Sequence, residues 1–112
     1  MATVRRTSSS GREAASAFPL WTFLTNHAHV LICIAGDPNA RIRDLAERVG
    51  ITERAIQKII TELEESGYLT HVRVGRRNAY HVIANRPLRH PVEKHRNVTV
   101  LLQLVGGSSK KR

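Results

Sequence analysis

Cysteine, aromatic residues and acidic charge are all scarce in this chain, and each shortage narrows its class. Its 112 residues include one cysteine, Cys33, inside the apolar run "VLICIA". One thiol closes no internal disulfide, so a disulfide-stapled secreted scaffold is excluded. The expectation is a reduced, cytoplasmic protein with Cys33 buried. Aromatics are sparse at 4%, although the 41% apolar content is ordinary for a globular chain. No apolar stretch approaches the ~18 residues of a membrane-spanning helix. The N-terminal "MATVRRTSSSGREAAS" has no apolar centre and does not read as a secretory signal. Catalytic patterns are missing too: no glycine-rich phosphate loop, no metal-ligand spacing, no paired carboxylates on an apolar background. Ser8–Ser10 lie in a tail, far from any base. The expectation is no enzyme and no cofactor.

The shortage of acid leaves a surplus of base. Eighteen Lys+Arg against nine Asp+Glu give a formal charge of +9 and a pI near 11.1. Such a balance points to nucleic acid first and an anionic membrane second. The charge is unevenly placed. Residues 37–65 hold five basic and seven acidic residues, a net −2, whereas 68–96 hold seven basic residues against Glu93 alone, a net +6. The rest of the surplus falls on Arg5, Arg6 and Arg12 and on 110–112.

The length fits one domain with a small core, where a partner subunit often supplies further burial. Residues 1–16, rich in Ser, Thr, Gly and Arg, read as a disordered tail, and 106–112 as a basic flexible tail. Between them, 17–105 form the domain. "LWTFLTNHAHVLICIAG" (20–36) predicts a mostly buried helix over roughly 22–35, with Gly36 as its cap and "DPN" as its stop. Ile42, Leu45 and Val49 repeat at helical spacing and predict a short helix over 42–49, ended by Gly50. Thr52 can cap the next helix, Glu53 suits its positive end, and Ile56, Ile59, Ile60 and Leu63 form its apolar stripe up to Ser66-Gly67. The period then changes. "YLTHVRV" and "AYHVI" flank the turn "GRRN" (75–78) and predict a hairpin, with His71 and His81 paired across it. Pro91 and Glu93 suit a helix start, and Val98, Leu101, Leu102 and Val105 continue at helical spacing, which predicts a helix over 92–105. The alternation of 98, 100, 102 and 104 leaves a strand possible there. The fold class expected is mainly α with a small β-hairpin: a three-helix core, a hairpin and a C-terminal helix.

The two central helices fit helix-turn-helix mechanics. Ala46 lets the helices approach, Gly50 permits the turn, and Ile56 locks the second helix onto the first. With the Ile/Leu stripe inward, Arg54, Gln57, Lys58 and Thr61 point outward, with Thr52 at the start. Arginine can bridge guanine O6 and N7, and glutamine can pair with adenine N6 and N7. Glu62, Glu64 and Glu65 cluster at the far end, where a helix inserted N-terminus first leaves the groove. Arg73, Arg76 and Arg77, with Asn78 closing the turn, would meet phosphates or a narrow minor groove.

The stretch "IRDLAERVGITERAIQKIITELEESGYLTHVRVGRRNAYHV" resembles the winged helix-turn-helix of MarR/ArsR-like bacterial transcriptional regulators. The resemblance implies that helix 52–66 enters the major groove of double-stranded DNA and that the wing, 73–79, touches the neighbouring backbone or minor groove. It also implies a homodimer built from the first and last helices. Trp21, Phe23, Val98, Leu101, Leu102 and Val105 are the expected interface residues, because a core this small has little room for them. Any effector would sit at that interface, near Trp21 and Phe23. His90, Glu93 and His95 come nearest to a metal ligand set, but no cysteine or acidic cluster joins them, and no metal site is expected. Two rival functions remain: a sequence-indifferent, nucleoid-type DNA binder, and a winged-helix module that binds protein.

Overall fold

The computed structural model describes residues 18–105, so the expected tails at 1–16 and 106–112 lie outside the described residues. Four helices and one hairpin follow in the order α1 (Asn26–Gly36), α2 (Ile42–Val49), α3 (Glu53–Glu65), β1 (Leu69–Val74), β2 (Arg77–Val82) and α4 (Thr99–Val105). This is the fold class expected.

The first helix starts later than expected. Thr25 is its cap, with the hydroxyl accepting from the Ala28 amide at 3.2 Å. The apolar residues before the cap find no core: Leu20 is 87% exposed and Phe23 92%. A helix there would have had nothing to bury its stripe against. Ala28, Val30, Leu31 and Ile34 turn inward, while Cys33 is only half-buried at the core's edge. Gly36 is the last helical residue rather than the cap. The Asp37 amide closes the end on the Cys33 and Ile34 carbonyls.

Helices α2 and α3 keep the expected boundaries to within a residue. Leu45, Ala46 and Val49 of α2 face Ile56, Ile59, Ile60 and Leu63 of α3, and all seven are buried. Gly50 joins the helices in a left-handed conformation (φ 86°), and its amide donates to the Ala46 carbonyl at 2.8 Å. The Thr52 hydroxyl accepts from the Ala55 amide at 3.0 Å, which caps α3 as its sequence position requires.

The hairpin is tighter than "GRRN" suggests. Val74 pairs with Arg77, so the turn is only Gly75-Arg76, and Arg77 and Asn78 belong to β2. A two-residue turn needs positive φ at its first position, which Gly75 supplies at 63°. His71 stands opposite Tyr80, and His81 opposite Thr70, so the two histidines lie on opposite faces and do not pair. The base of the hairpin joins the core through Leu69 and Tyr80, with Val82 packed against it, and the Tyr80 amide donates to the Pro38 carbonyl at 2.9 Å. Val72 and Val74 remain exposed.

The expected helix over 92–105 is shortened to Thr99–Val105. Residues 87–97 fold back instead. Pro87 and Asn97 form an isolated antiparallel bridge, and the Leu88 amide donates to the Arg96 carbonyl at 2.9 Å. The segment 92–97 has one apolar residue, Val92, and it is exposed, so a helix there would have had no face to pack. The helical stripe begins only at Val98. Asn97 starts the helix, its side-chain oxygen accepting from the Thr99 amide at 3.1 Å.

Candidate nucleic-acid interface

All five residues expected on the outer face of α3 are exposed: Thr52, Arg54, Gln57, Lys58 and Thr61. The helix explains this directly. Its buried positions 56, 59, 60 and 63 occupy one stripe, and 54, 57, 58 and 61 fall on the opposite side. Among the described residues, Arg54, Gln57, Lys58 and Thr61 make no side-chain hydrogen bond or ion pair. Their donors and acceptors are therefore available to a partner. Thr52 uses its oxygen as the cap acceptor, which leaves its O–H free to donate.

Two of the three carboxylates at the other end, Glu62 and Glu64, are occupied. Glu62 Oε1 lies 2.7 Å from His27 Nε2 of α1, and Glu64 is hydrogen-bonded to His71 of β1. The His71 ring also lies against Tyr80, with ring centroids 5.8 Å apart. Two His–Glu contacts thus tie the C-terminal half of α3 to the first helix on one side and to the hairpin on the other. That end is also closed by residues far along the chain. Arg86 donates to the Ser66 carbonyl at 3.0 Å, beneath Gly67, and its guanidinium lies 5.6 Å from the Tyr68 ring centre. Arg89 reaches the Ser66 hydroxyl at 3.4 Å, and the Tyr68 hydroxyl donates to the Pro87 carbonyl at 2.5 Å. A cation at a helix C-terminus opposes the negative end of the dipole. Sequence reasoning assigns no role to Arg86. Its signal is a basic residue following an "SGYL" helix stop, legible only once the chain is known to return there.

The hairpin does not present its polar residues together. Arg73 pairs with Asn78 on the face that carries Leu69 and Tyr80, whereas Arg77 shares the opposite face with Val74. Arg76 stands at the tip. The three arginines are exposed and so ring the end of the hairpin instead of forming one flat patch. The Arg73 Nε donates to the Gly75 carbonyl at 3.3 Å, which draws this side chain towards the turn. Asn78 departs from its expected place at the end of the turn. It is half-buried, its amide nitrogen donates to the Tyr80 hydroxyl at 3.4 Å, and its carbonyl oxygen is buried without a partner among the described residues.

The expected interface residues divide as well. Trp21 and Phe23 are exposed and in edge-to-face contact at 5.0 Å, and Val105 is exposed. Leu101 and Leu102 are half-buried. Val98 is fully buried within the chain's own core, so it is not available to a partner; the fold-back of 87–97 seats it there. His90 Nδ1 accepts from the Val92 amide at 3.1 Å, and among the described residues no group of three His, Cys, Asp or Glu is placed to hold a metal ion. No described helix is long and apolar enough to cross a membrane.

Comparison with known proteins agrees with this geometry. Residues 25–70, from the cap of α1 to the start of β1, match the winged helix-turn-helix DNA-binding family. No curated protein sequence matches the chain. Among solved structures, the fold is similar to that of the PcaV transcriptional regulator from Streptomyces coelicolor, crystallised with its natural ligand. The two share 24% identity and a TM-score of 0.50, over 72% of this chain and 59% of that one. The chain thus spans less than two thirds of that regulator's length. With the tight turn at Gly50, the capped and outward-facing α3 and the two-stranded wing behind it, the chain has a winged helix-turn-helix fold, similar over residues 25–70 to the DNA-binding family of that name.

Proposed function

We propose that this protein is a DNA-binding transcriptional regulator of the MarR/ArsR-like kind, acting as a cytoplasmic homodimer and not as an enzyme. The observation that carries the reading is the outer face of α3. Arg54, Gln57, Lys58 and Thr61 lie together, exposed and without partners among the described residues, while Glu62 and Glu64 of the same helix are engaged elsewhere. Those side chains match what the major groove offers: arginine or lysine for guanine, glutamine for adenine. Arg73, Arg76 and Arg77 supply phosphate or minor-groove contacts from the wing. Asn78, turned towards Tyr80, contributes to the wing's shape and not to contact.

The homodimer reading draws on the apolar surface left uncovered by one protomer. Leu20, Trp21, Phe23, Leu104 and Val105 are all exposed, at the two ends of the domain's sequence. Two-fold pairing would set two α3 helices about one DNA turn apart, ~34 Å, on a pseudo-palindromic site. Sedimentation showing a monomer at micromolar concentration would remove this part.

Selection from a random duplex library, read at low and at ~0.2 M salt, tests the function. A pseudo-palindromic motif that persists at the higher salt is expected. Binding without enrichment, lost as salt rises, would replace the reading with a sequence-indifferent binder. Capture of protein and no duplex would favour the interaction module. On the selected site, Gln57→Ala should lower discrimination against the wrong base by about 1–3 kcal/mol while binding to random DNA stays unchanged. Unaltered preference would show that the outer face of α3 was wrongly assigned as the reader.

A further inference from the structure

The wing is held to the rest of the domain at one cross-strand pair. His71 of β1 and Tyr80 of β2 stand directly opposite each other, on the face of the hairpin that carries Leu69. Each is gripped by a different part of the domain. His71 Nδ1 is hydrogen-bonded to Glu64 of α3, and the Tyr80 amide donates at 2.9 Å to the Pro38 carbonyl, between α1 and α2. The two rings lie against each other, with centroids 5.8 Å apart. Asn78, two residues nearer the tip on the same face, donates to the Tyr80 hydroxyl at 3.4 Å. Among the described residues, no hydrogen bond or ion pair joins 72–79 to anything outside the hairpin.

The grip on α3 falls on its reading face. Glu64 follows Thr61 by three residues and Gln57 by seven, so it lies on the same row of the helix as two of the residues assigned to the bases. We infer that His71 is a positioning residue for DNA binding: held by Glu64 and backed by Tyr80, it fixes the angle of the wing to α3, so that Arg76 and Arg77 meet phosphates while Gln57 and Thr61 meet bases. This rests on the DNA-binding reading and deepens it, because the wing's contacts then depend on a residue that touches no DNA.

The wing is long enough for its angle to matter. Arg76 is five residues beyond His71, which at about 3.3 Å per residue puts the tip about 16 Å from the brace. A tilt of about 10° there moves the tip by about 3 Å, the length of one charge-assisted hydrogen bond. A wing free to tilt must be ordered on binding, at a cost in affinity, whereas a braced wing is ordered beforehand. The pair itself adds little to stability, because the His71 and Glu64 side chains are 39% and 26% exposed.

The test uses the full chain on one random and one selected duplex, with affinity read by fluorescence anisotropy and folding by thermal melting. His71→Ala should weaken both complexes about three- to tenfold, leave base preference unchanged and lower the melting temperature by no more than about 5 °C. Glu64→Asp keeps the charge but withdraws the carboxylate by one methylene, so it should weaken both complexes as well. A brace acts only through the residues it aims. In the Arg76→Ala/Arg77→Ala background, His71→Ala should therefore cost less than about 1.5-fold. Should His71→Ala melt far earlier, Glu64→Asp carries the same comparison. Parent affinity in both brace variants, or an equal loss with and without the two wing arginines, would overturn the inference. So would an Arg76→Ala/Arg77→Ala variant that binds like the parent, a result that leaves reading by α3 intact. If the parent chain fails to bind either duplex, the DNA-binding reading itself falls and takes this one with it.

Discussion

Replacing Ile56 with alanine should lower the unfolding free energy by about 3–4 kcal/mol, among the largest single-residue losses this fold can suffer. Ile56 is fully buried where α3 meets α2 and α1, in the same core as Leu45, Val49 and Ile60. Truncating the side chain there forfeits its transfer energy and leaves a cavity that two rigid helices cannot close. Domains of this size hold only about 5–15 kcal/mol in all, so the variant should melt roughly 10–20 °C earlier. Urea denaturation followed by circular dichroism measures it. The neighbouring position supplies the control. Gln57 is exposed and without a partner among the described residues, so Gln57→Ala should stay within ~0.5 kcal/mol of the parent. Adjacent residues would then answer different assays, one reporting the core and the other base preference. A loss below about 1 kcal/mol for Ile56→Ala would contradict the packing of α3 described above.

Replacing Arg76 and Arg77 together should weaken binding to every duplex about equally, roughly ten- to hundredfold at low salt. That corresponds to about 0.7–1.4 kcal/mol per arginine. The two sit at the tip and on the outer face of an exposed hairpin, where no described residue neutralises them. Each phosphate left without its arginine should reduce the salt slope by about 0.9, so the double variant should show a slope lower by nearly 2. Preference among sequences should survive, because bases are read by α3 and not by the wing. Stability should hardly change, since neither side chain is buried. Fluorescence anisotropy at several salt concentrations checks affinity and slope together. An unchanged slope would mean that the wing stands clear of the duplex.

Helices α2 and α3 are legible almost to the residue because their stops and caps are local. Gly50 adopts the left-handed conformation that a side chain resists, and the Thr52 hydroxyl bonds an amide three residues on. The outer face of α3 follows from the same stripe that buries the helix, so the sequence suffices to name its exposed residues. The departures all have non-local causes. Residues 20–24 carry a helix-like apolar pattern, but pattern alone cannot say whether a surface exists to bury it. Pro91 and Glu93 form a sound helix start, yet the chain uses Asn97. Pairing of Pro87 with Asn97 closes a loop through backbone groups that every residue carries. Asn78 reads as part of the turn because the hairpin register is invisible without its partner strand. The observed register moves it from the tip to the face of Tyr80. Val98 reads as surplus surface for the same reason, since only the fold-back places it in the core.

The strap that Arg86 lays over the end of α3 bears on the order in which the molecule assembles. Its bond to the Ser66 carbonyl joins residues twenty apart in sequence, whereas the cap and turn contacts of α2 and α3 join residues three to five apart. Contacts between neighbours in sequence cost little chain entropy and form early, and those that close longer loops follow. Helices α2 and α3 should therefore already be consolidated at the folding barrier, with the strap fastened on the native side. Arg86→Ala, at a cost of about 1 kcal/mol, would then speed unfolding roughly fivefold and leave the folding rate nearly unchanged. A stopped-flow chevron would separate the two limbs. On this account, residues 84–98 govern how long the folded domain persists and have little bearing on how quickly it forms.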